Sequence, residues 1–318
     1  MVYMCLLFIL SVLPLRGNIM LLNSQLSAFS EPETVLIPKE LFRDPVIRSL
    51  INPKASCFMN TTTQLLARLY GDLEFRKAII EPVVNDSTDT FETLRYYIVN
   101  MLNEYYSPSI SNHTFLTDYL KFLADVDATG LFKVCVGERT IDTLVNFLDV
   151  LFKVKINVNM VTPPQSPIQL IEVPLPKISR YNKRHIVLSG PLFQYLQSFS
   201  SGKNYQWPRF LLISLPIESV KELFDPKTQK PYSGILYPIA LELKSNRYSL
   251  IGMVLHKPNH AFAIVRYGKK WYCCNDDTIF ELGDARYNEL LVNGVFTHTG
   301  NTNFLDYALP AVFLYERL

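Results

Sequence analysis

Charge of one sign is scarce in this chain: 31 Lys and Arg against 29 Asp and Glu leave a net +2 over 318 residues. That balance excludes a strongly basic nucleic-acid binder, whose affinity rests on neutralising many phosphates. It equally excludes an acidic, disordered chain, which needs low hydrophobicity and high net charge. Glycine is also sparse, at 12 residues, and no fixed period runs through the chain. Collagen-like, coiled-coil and repeat architectures are therefore unsupported. The five cysteines, Cys5, Cys57, Cys135, Cys273 and Cys274, include no CxxC pair. A zinc ribbon or finger of paired thiolates is excluded, and no metal or other cofactor is expected. What the chain does have is core: 48% apolar residues, with 20 Phe and 18 Tyr. A globular protein is expected.

The longest apolar run lies at the N-terminus, from Val2 to Leu15, and stops at Arg16-Gly17-Asn18. It has the length of a signal-peptide core and falls short of the roughly 20 residues that span a bilayer. No Lys or Arg precedes it, so a secretory leader and a buried helix both stay open, as does membrane association through residues 2–15. Residues 1–30 are set apart on this ground from a single domain over residues 31–318.

Apolar spacing predicts helices from Cys57 to about Ile80, Glu92 to Tyr106, Asn112 to Asp125 and Arg139 to Val154. Beyond Lys155 the pattern changes to β-branched, alternating runs broken by Pro, Asn and Gly. Strands are expected at Ile156–Val161, Ile168–Val173, His185–Leu188, Phe210–Leu215, Ile235–Leu243, Tyr248–His256, Ala261–Tyr267, Trp271–Asn275 and Ala311–Tyr315. The order predicts an α+β protein, with a helical lobe over about 45–154 packed on a β-rich lobe over about 155–318. Adjacent Cys273 and Cys274 should point to opposite faces of their strand, which argues against a shared metal.

Three residue groups stand out chemically. Cys57 sits where the lead-in becomes helix, and a helix N-terminus favours the thiolate. His260 opens a strand. Asn275 and Asp276 follow at the end of the next strand of an expected hairpin, within reach of His260. A thiol, an imidazole and a group orienting that imidazole are what a cysteine protease needs. Taken singly, each has a plain structural reading: a small buried hydrophobe, a satisfied core histidine, a turn.

Collinear sequence blocks tie them together. Asn52-Pro-Lys-Ala-Ser-Cys57-Phe-Met-Asn60-Thr-Thr-Thr-Gln64 resembles the cysteine box of the ubiquitin-specific proteases, N-x-G-x-T-C-Y/F-M-N-x-x-x-Q. Tyr248 through His256, Asn259-His260-Ala-Phe-Ala263, Trp271 and Asn275-Asp276 resemble the family's histidine box. Trp207-Pro208 through Leu215 and Ala308 through Arg317 are similar to its core and closing strands. The blocks keep the family's order over roughly Phe42 to Leu318.

The resemblance implies a papain-like fold with a helical thumb lobe and an antiparallel β palm lobe. It also implies cleavage of isopeptide bonds after the C-terminal Gly-Gly of ubiquitin or a ubiquitin-like protein, with that protein and its conjugates as partners. By motif position Cys57 would be the nucleophile, His260 the base and then acid, Asn275 the orienting residue and Asp276 its acidic neighbour. Asn52 would donate its amide to the oxyanion beside the Cys57 backbone N–H. Gln64 would support the site from behind, while Asn259 and Ala261 would border the substrate channel. Lys54 replaces the family's Gly, Asn259 a Gly and Ala261 a Tyr, and the fingers' CxxC pairs are missing, so the fingers are expected to be reduced or absent.

Three functions remain open on the sequence: an active deubiquitinating thiol protease, a weak or inactive relative that holds ubiquitin, and a secreted protease of other specificity. Sequons begin at Asn60, Asn85 and Asn112. A glycan on Asn60 would obstruct the site, which favours a cytosolic or nuclear location.

Overall fold

Short capping signals start most helices of the first half. The computed structural model describes residues 33–42, 47–53, 55–86, 88–132, 140–160, 166–175, 185–200, 205–299 and 305–318. The chain enters through β1 (Thr34–Val35), followed by α1 (Cys57–Tyr70), α2 (Leu73–Ala78), β2 (Val83–Val84), α3 (Thr90–Tyr106), α4 (Asn112–Ala128) and α5 (Thr140–Phe152). Asp72, Asp89 and Ser111 accept hydrogen bonds from first-turn N–H groups of α2, α3 and α4, satisfying donors that have no partner within the helix. The helix expected from Cys57 to Ile80 is therefore two, broken at Gly71, because Asp72 caps a second start. The apolar N-terminal run, Lys54 and Cys135 lie outside the described residues.

The second half contains β3 (Ile168–Glu172), β4 (Ile186–Val187), α6 (Ser189–Ser200), β5 (Phe210–Ser214), α7 (Ile217–Lys221), β6 (Ile235–Leu236) and β7 (Ala240–Leu243). It continues with β8 (Asn246–Lys257), β9 (His260–Tyr267), β10 (Lys270–Asn275), β11 (Thr278–Leu282), α8 (Asp284–Asn293), β12 (Phe296–Thr299) and β13 (Leu305–Arg317). Nine strands form one sheet along the path β11-β10-β9-β8-β13-β5-β3, with β12 on β13 and β7 on β8. The architecture is mixed α+β. An all-antiparallel sheet was expected; β3 instead runs parallel to β5, as β4 does to β6.

Both faces of this sheet are buried, each against its own core. Ile251 and Val254 of β8, Ala263 and Val265 of β9 and Phe210 and Leu212 of β5 join the core shared with α1, α3, α4 and α5. Their neighbours Leu250, Met253, Phe262, Ile264, Leu211 and Ile213 join the opposite core with α6 and α8. Two covered faces explain why these strands read as continuous apolar runs. Cys274 belongs to the first core and Cys273 to the second, as strand alternation requires.

α1 lies between β8, β9 and β10 on one side and α3 and α5 on the other, so nearly all its side chains are buried. Gly252 permits this closeness: a Cβ there would sit 3.1 Å from Leu65 Cδ2. The result is a helix pressed on the sheet with its N-terminus beside the start of β9.

Two expectations fail instructively. Ile156–Met160 forms no strand, and Val161 lies outside the described residues. Asn159, at φ +55, bonds to β3 through its side chain, its Nδ2 donating to Glu172 O and its Oδ1 accepting from Glu172 N. α6, α7 and α8 replace what read as irregular chain. No helix among the described residues is long and apolar enough to cross a membrane.

Candidate active site

Cys57 is the first residue of α1, half-buried, with no acidic residue in the first turn to offset the helix dipole. The turn before it is held by a single amide. Asn52 Oδ1 accepts from both the backbone N–H and the hydroxyl of Ser56, each at 3.0 Å. Ala55 adopts φ +46, a left-handed conformation that favours Gly. The unusual backbone of this loop thus falls at least at position 55, one residue after the Gly position of the resembling motif.

His260 opens β9 after a two-residue turn, Pro258-Asn259, and Asn275 closes β10, the next strand of the same hairpin. The hairpin brings His260 Nε2 to 2.6 Å from Asn275 Oδ1. An amide oxygen there can only accept, so Nε2 carries the proton of this bond. Cys57, His260 and Ala261 line the same cleft, and the imidazole and the Ala261 backbone N–H both act to lower the proton affinity of the thiol.

Each partner shifts the other's proton equilibrium. Burial pushes the Cys57 thiol up, but the bond and charge of His260 and the Ala261 N–H outweigh it, leaving the pKa below the ordinary thiol value. Burial pushes His260 down, and the bonds to Cys57 and Asn275 with the nearby Asp276 charge reverse that, leaving it above the ordinary imidazole value. Both shifts favour a thiolate–imidazolium pair. The other described thiols go the opposite way: burial pushes Cys273 up to about 12 and Cys274 well above its ordinary value. Of the three, Cys57 alone has its pKa lowered.

Asp276 is the hub beneath this pair. Its carboxylate accepts from Asn52 Nδ2 at 2.9 Å and from Asn60 Nδ2 at 2.7 Å, and its carbonyl accepts from the Leu50 N–H at 3.0 Å. Its Oδ2 lies 3.9 Å from His260 Nε2. Asn52 therefore spends a side-chain N–H on Asp276. Asn60 is fixed further by donating to Ile51 O and by accepting from the Tyr119 hydroxyl.

Gln64 does not reach the cleft. It is buried, donating to Arg48 O and accepting from the Tyr105 hydroxyl, and so ties the lead-in to α3 from behind. Asn259 and Ala261 do border a cleft of about 300 Å³ that also exposes Cys57, His260 and His256. The sequence reading assigned no role to Asn60 in the network, to Tyr119 or to His256. Asn60 was legible as a polar residue one turn after Cys57 on a buried helix face, and His256 as the second residue beyond Val254 on a cleft-facing strand. Tyr119 had no such signal. Among the described residues no cluster of His, Cys, Asp or Glu could hold a metal.

By sequence, no family model and no curated protein matches the chain. Solved structures do. A structure of the SAGA DUB module Ubp8/Sgf11/Sus1/Sgf73 bound to monoubiquitin matches at a TM-score of 0.52, with 14% identity over 89% of this chain and 72% of that chain. The same module bound to ubiquitin aldehyde gives 0.51, with 14% identity over 89% and 72%. An essential yeast splicing factor gives 0.54, with 13% identity over 91% of this chain and 73% of that chain. At these identities the likeness is one of fold: the chain has the fold of the ubiquitin-specific protease domain, in a divergent form.

Proposed function

We propose that the protein is a deubiquitinating thiol protease, hydrolysing the bond after the C-terminal Gly-Gly of ubiquitin or a ubiquitin-like protein. The single observation that carries this reading is the His260 imidazole, held by Asn275 at 2.6 Å, sharing the edge of one cleft with the Cys57 thiol. The Ubp8 module with the same fold is described as bound to ubiquitin and to ubiquitin aldehyde, which supports the substrate class.

In this mechanism the Cys57 thiolate attacks the carbonyl carbon of the terminal Gly. The carbonyl oxygen becomes an oxyanion beside the Cys57 backbone N–H at the helix N-terminus and the Asn52 side chain. His260 passes its proton to the departing amine, leaving a thioester. The now neutral imidazole takes a proton from water, the hydroxide displaces the thiolate, and the tail is released as a carboxylate. Asn275 holds the ring in the required tautomer, and Asp276 favours the imidazolium and anchors Asn52. In this reading the helical part is the thumb and the sheet the palm, with the fingers reduced. A cytosolic or nuclear location accompanies it, because Asn60 is buried and its amide engaged, which leaves no room for a glycan.

A second reading is a protein that holds ubiquitin without cleaving it. The match to a splicing factor and the replacements at positions 259 and 261 favour it. Ubiquitin carrying a C-terminal electrophile separates the two. Labelling of the wild type that is lost in Cys57→Ala supports the protease; labelling that persists in Cys57→Ala refutes the nucleophile. Binding without labelling supports the second reading.

A further inference from the structure

The carboxylate beneath the reacting pair belongs to a turn residue, yet it is held from within the helical half. Asp276 is the first of the two residues that join β10 to β11, and its φ of +50 is uncommon for a residue with a side chain. Such a backbone persists where surrounding groups fix it. Those groups include a chain of hydrogen bonds that reaches Asp276 from α4. The Tyr119 hydroxyl donates to Asn60 Oδ1 at 2.8 Å, and Asn60 Nδ2 donates to Asp276 Oδ1 at 2.7 Å. An amide oxygen can only accept, so the Tyr119 proton lies on the bond to Asn60, and the Thr63 hydroxyl, 3.2 Å away, donates to Tyr119. Every bond of the chain points toward the carboxylate, and bonds aligned in this way polarise one another. Thr63, Tyr119 and Asn60 are all buried.

We infer that Tyr119 is a positioning residue for the active site: through Asn60 it fixes one oxygen of Asp276 and so aims the other at Asn52 and His260. With Oδ1 taken by Asn60, Oδ2 is left to accept from Asn52 Nδ2 at 2.9 Å and to lie 3.9 Å from His260 Nε2. Without the Tyr119 hydroxyl the amide of Asn60 loses the donor that sets its sense, and the carboxylate gains freedom to turn away. The inference rests on the proposed protease reading for its effect on turnover, and it extends that reading to a buried residue that touches no reacting atom. The negative charge of Asp276 raises the proton affinity of both Cys57 and His260. Withdrawing it lowers both. The window for the thiolate–imidazolium pair opens as the thiol ionises and closes as the imidazolium loses its proton, so both edges move to lower pH. Tyr119 on α4 and His256 on β8 stay neutral through that window: burial pushes the phenol up, and burial with the charges of Lys221 and His260 pushes His256 down to about 4. Lys221 is paired with Glu218 at 3.0 Å, and Asp277, the second turn residue, is exposed.

Steady-state hydrolysis of a ubiquitin C-terminal fluorogenic amide by the full chain, followed across pH, tests this in Tyr119→Phe, Asn60→Ala and the double variant. Tyr119→Phe keeps the ring stacked on Phe115 and Phe122 and removes the hydroxyl. Its kcat is expected to fall roughly three- to tenfold, the worth of one net hydrogen bond, with KM within about twofold and both limbs of the pH profile at lower pH. Because Tyr119 acts through Asn60, adding Tyr119→Phe to Asn60→Ala should change kcat by less than about twofold. A merely structural hydroxyl would lower Tm and leave the limbs of the folded enzyme where they are. Wild-type kcat and limbs in a folded Tyr119→Phe, or a full Tyr119→Phe effect that survives in Asn60→Ala, overturns the inference and leaves the protease reading intact. Should Tyr119→Phe not fold, Thr63→Val removes the donor to Tyr119 at nearly constant shape; a smaller displacement of the limbs in the same direction is expected, and an unmoved profile overturns the inference. No turnover by wild type overturns the protease reading alone. The positioning role is then read from the pH dependence of Cys57 alkylation, whose midpoint should lie lower in Tyr119→Phe than in wild type; coincident midpoints overturn it.

Discussion

At the N-terminal end of α1, buried polar groups converge on a carboxylate and leave one thiol facing an imidazole across a cleft. At the C-terminal end of the same helix, Arg68 is also largely buried, but its charge is closed: it meets Glu316 at 2.9 Å and donates to Arg266 O at 2.8 Å. Glu316 in turn meets Arg209 at 2.6 Å, and Arg209 meets Asp72 at 3.1 Å. The two ends place similar burdens of buried polarity on one element and dispose of them differently. At the C-terminal end each charge has a counter-charge, and the network ties α1 and the start of α2 to β5 and β13. At the N-terminal end neutral amides from Asn52 and Asn60 absorb the Asp276 carboxylate, so the thiol and imidazole are left to share a proton. One end fastens the helix to the sheet; the other holds reacting groups in place.

The difference can be broken end by end. Cys57→Ala and His260→Ala should each lower turnover by several orders of magnitude, since nucleophile and base act as a unit. Thermal unfolding of both should stay near wild type, because neither ties the helix down. A large fall in Tm would mean the N-terminal end is structural as well. Asn52→Ala comes next, with a loss of about 10²–10³ in kcat measured on a ubiquitin C-terminal amide, as expected for one oxyanion donor. A loss equal to that of Cys57→Ala would show that collapse of the Ser56 turn, rather than the donor, is responsible.

Arg68→Ala should act in the reverse sense. It leaves Glu316 with one fewer partner and should lower unfolding free energy by roughly 1–3 kcal/mol in denaturant titrations, with activity per folded molecule unchanged. Loss of activity without loss of stability would couple the two ends. The smallest effect belongs to Ala55→Gly. Relief of the left-handed backbone should stabilise the fold by about 1 kcal/mol or less and leave turnover equal or higher. Destabilisation there would show that the methyl group packs usefully.

Much of the N-terminal end was legible in the sequence. Cys57 before a helical run, His260 opening a strand and Asn275 closing the next are consequences of local pattern plus a hairpin, and the structure brings them together. The Asp276 hub was legible only as an acidic neighbour. Its partners Asn52 and Asn60 come from the other half of the chain, and no periodicity reports a contact between residues so far apart. The C-terminal latch was invisible for the same reason. Among the elements, long strands with both faces covered were found readily. β1, β2 and β4 were either missed or overextended, because two residues carry no alternation. α8 was missed because only Leu290 on it is buried, so its apolar stripe is faint.

The rate of Cys57 alkylation by iodoacetamide as a function of pH, in wild type and in His260→Ala, tests the shared proton most directly. In wild type the thiolate should form below the ordinary thiol range, because the imidazole bond and charge outweigh burial. In His260→Ala burial remains and those two influences are gone, so the alkylation profile should move to higher pH and the rate at neutral pH should fall. Coincident profiles in the two proteins would contradict a thiolate held by His260 and, with it, the catalytic reading of the cleft.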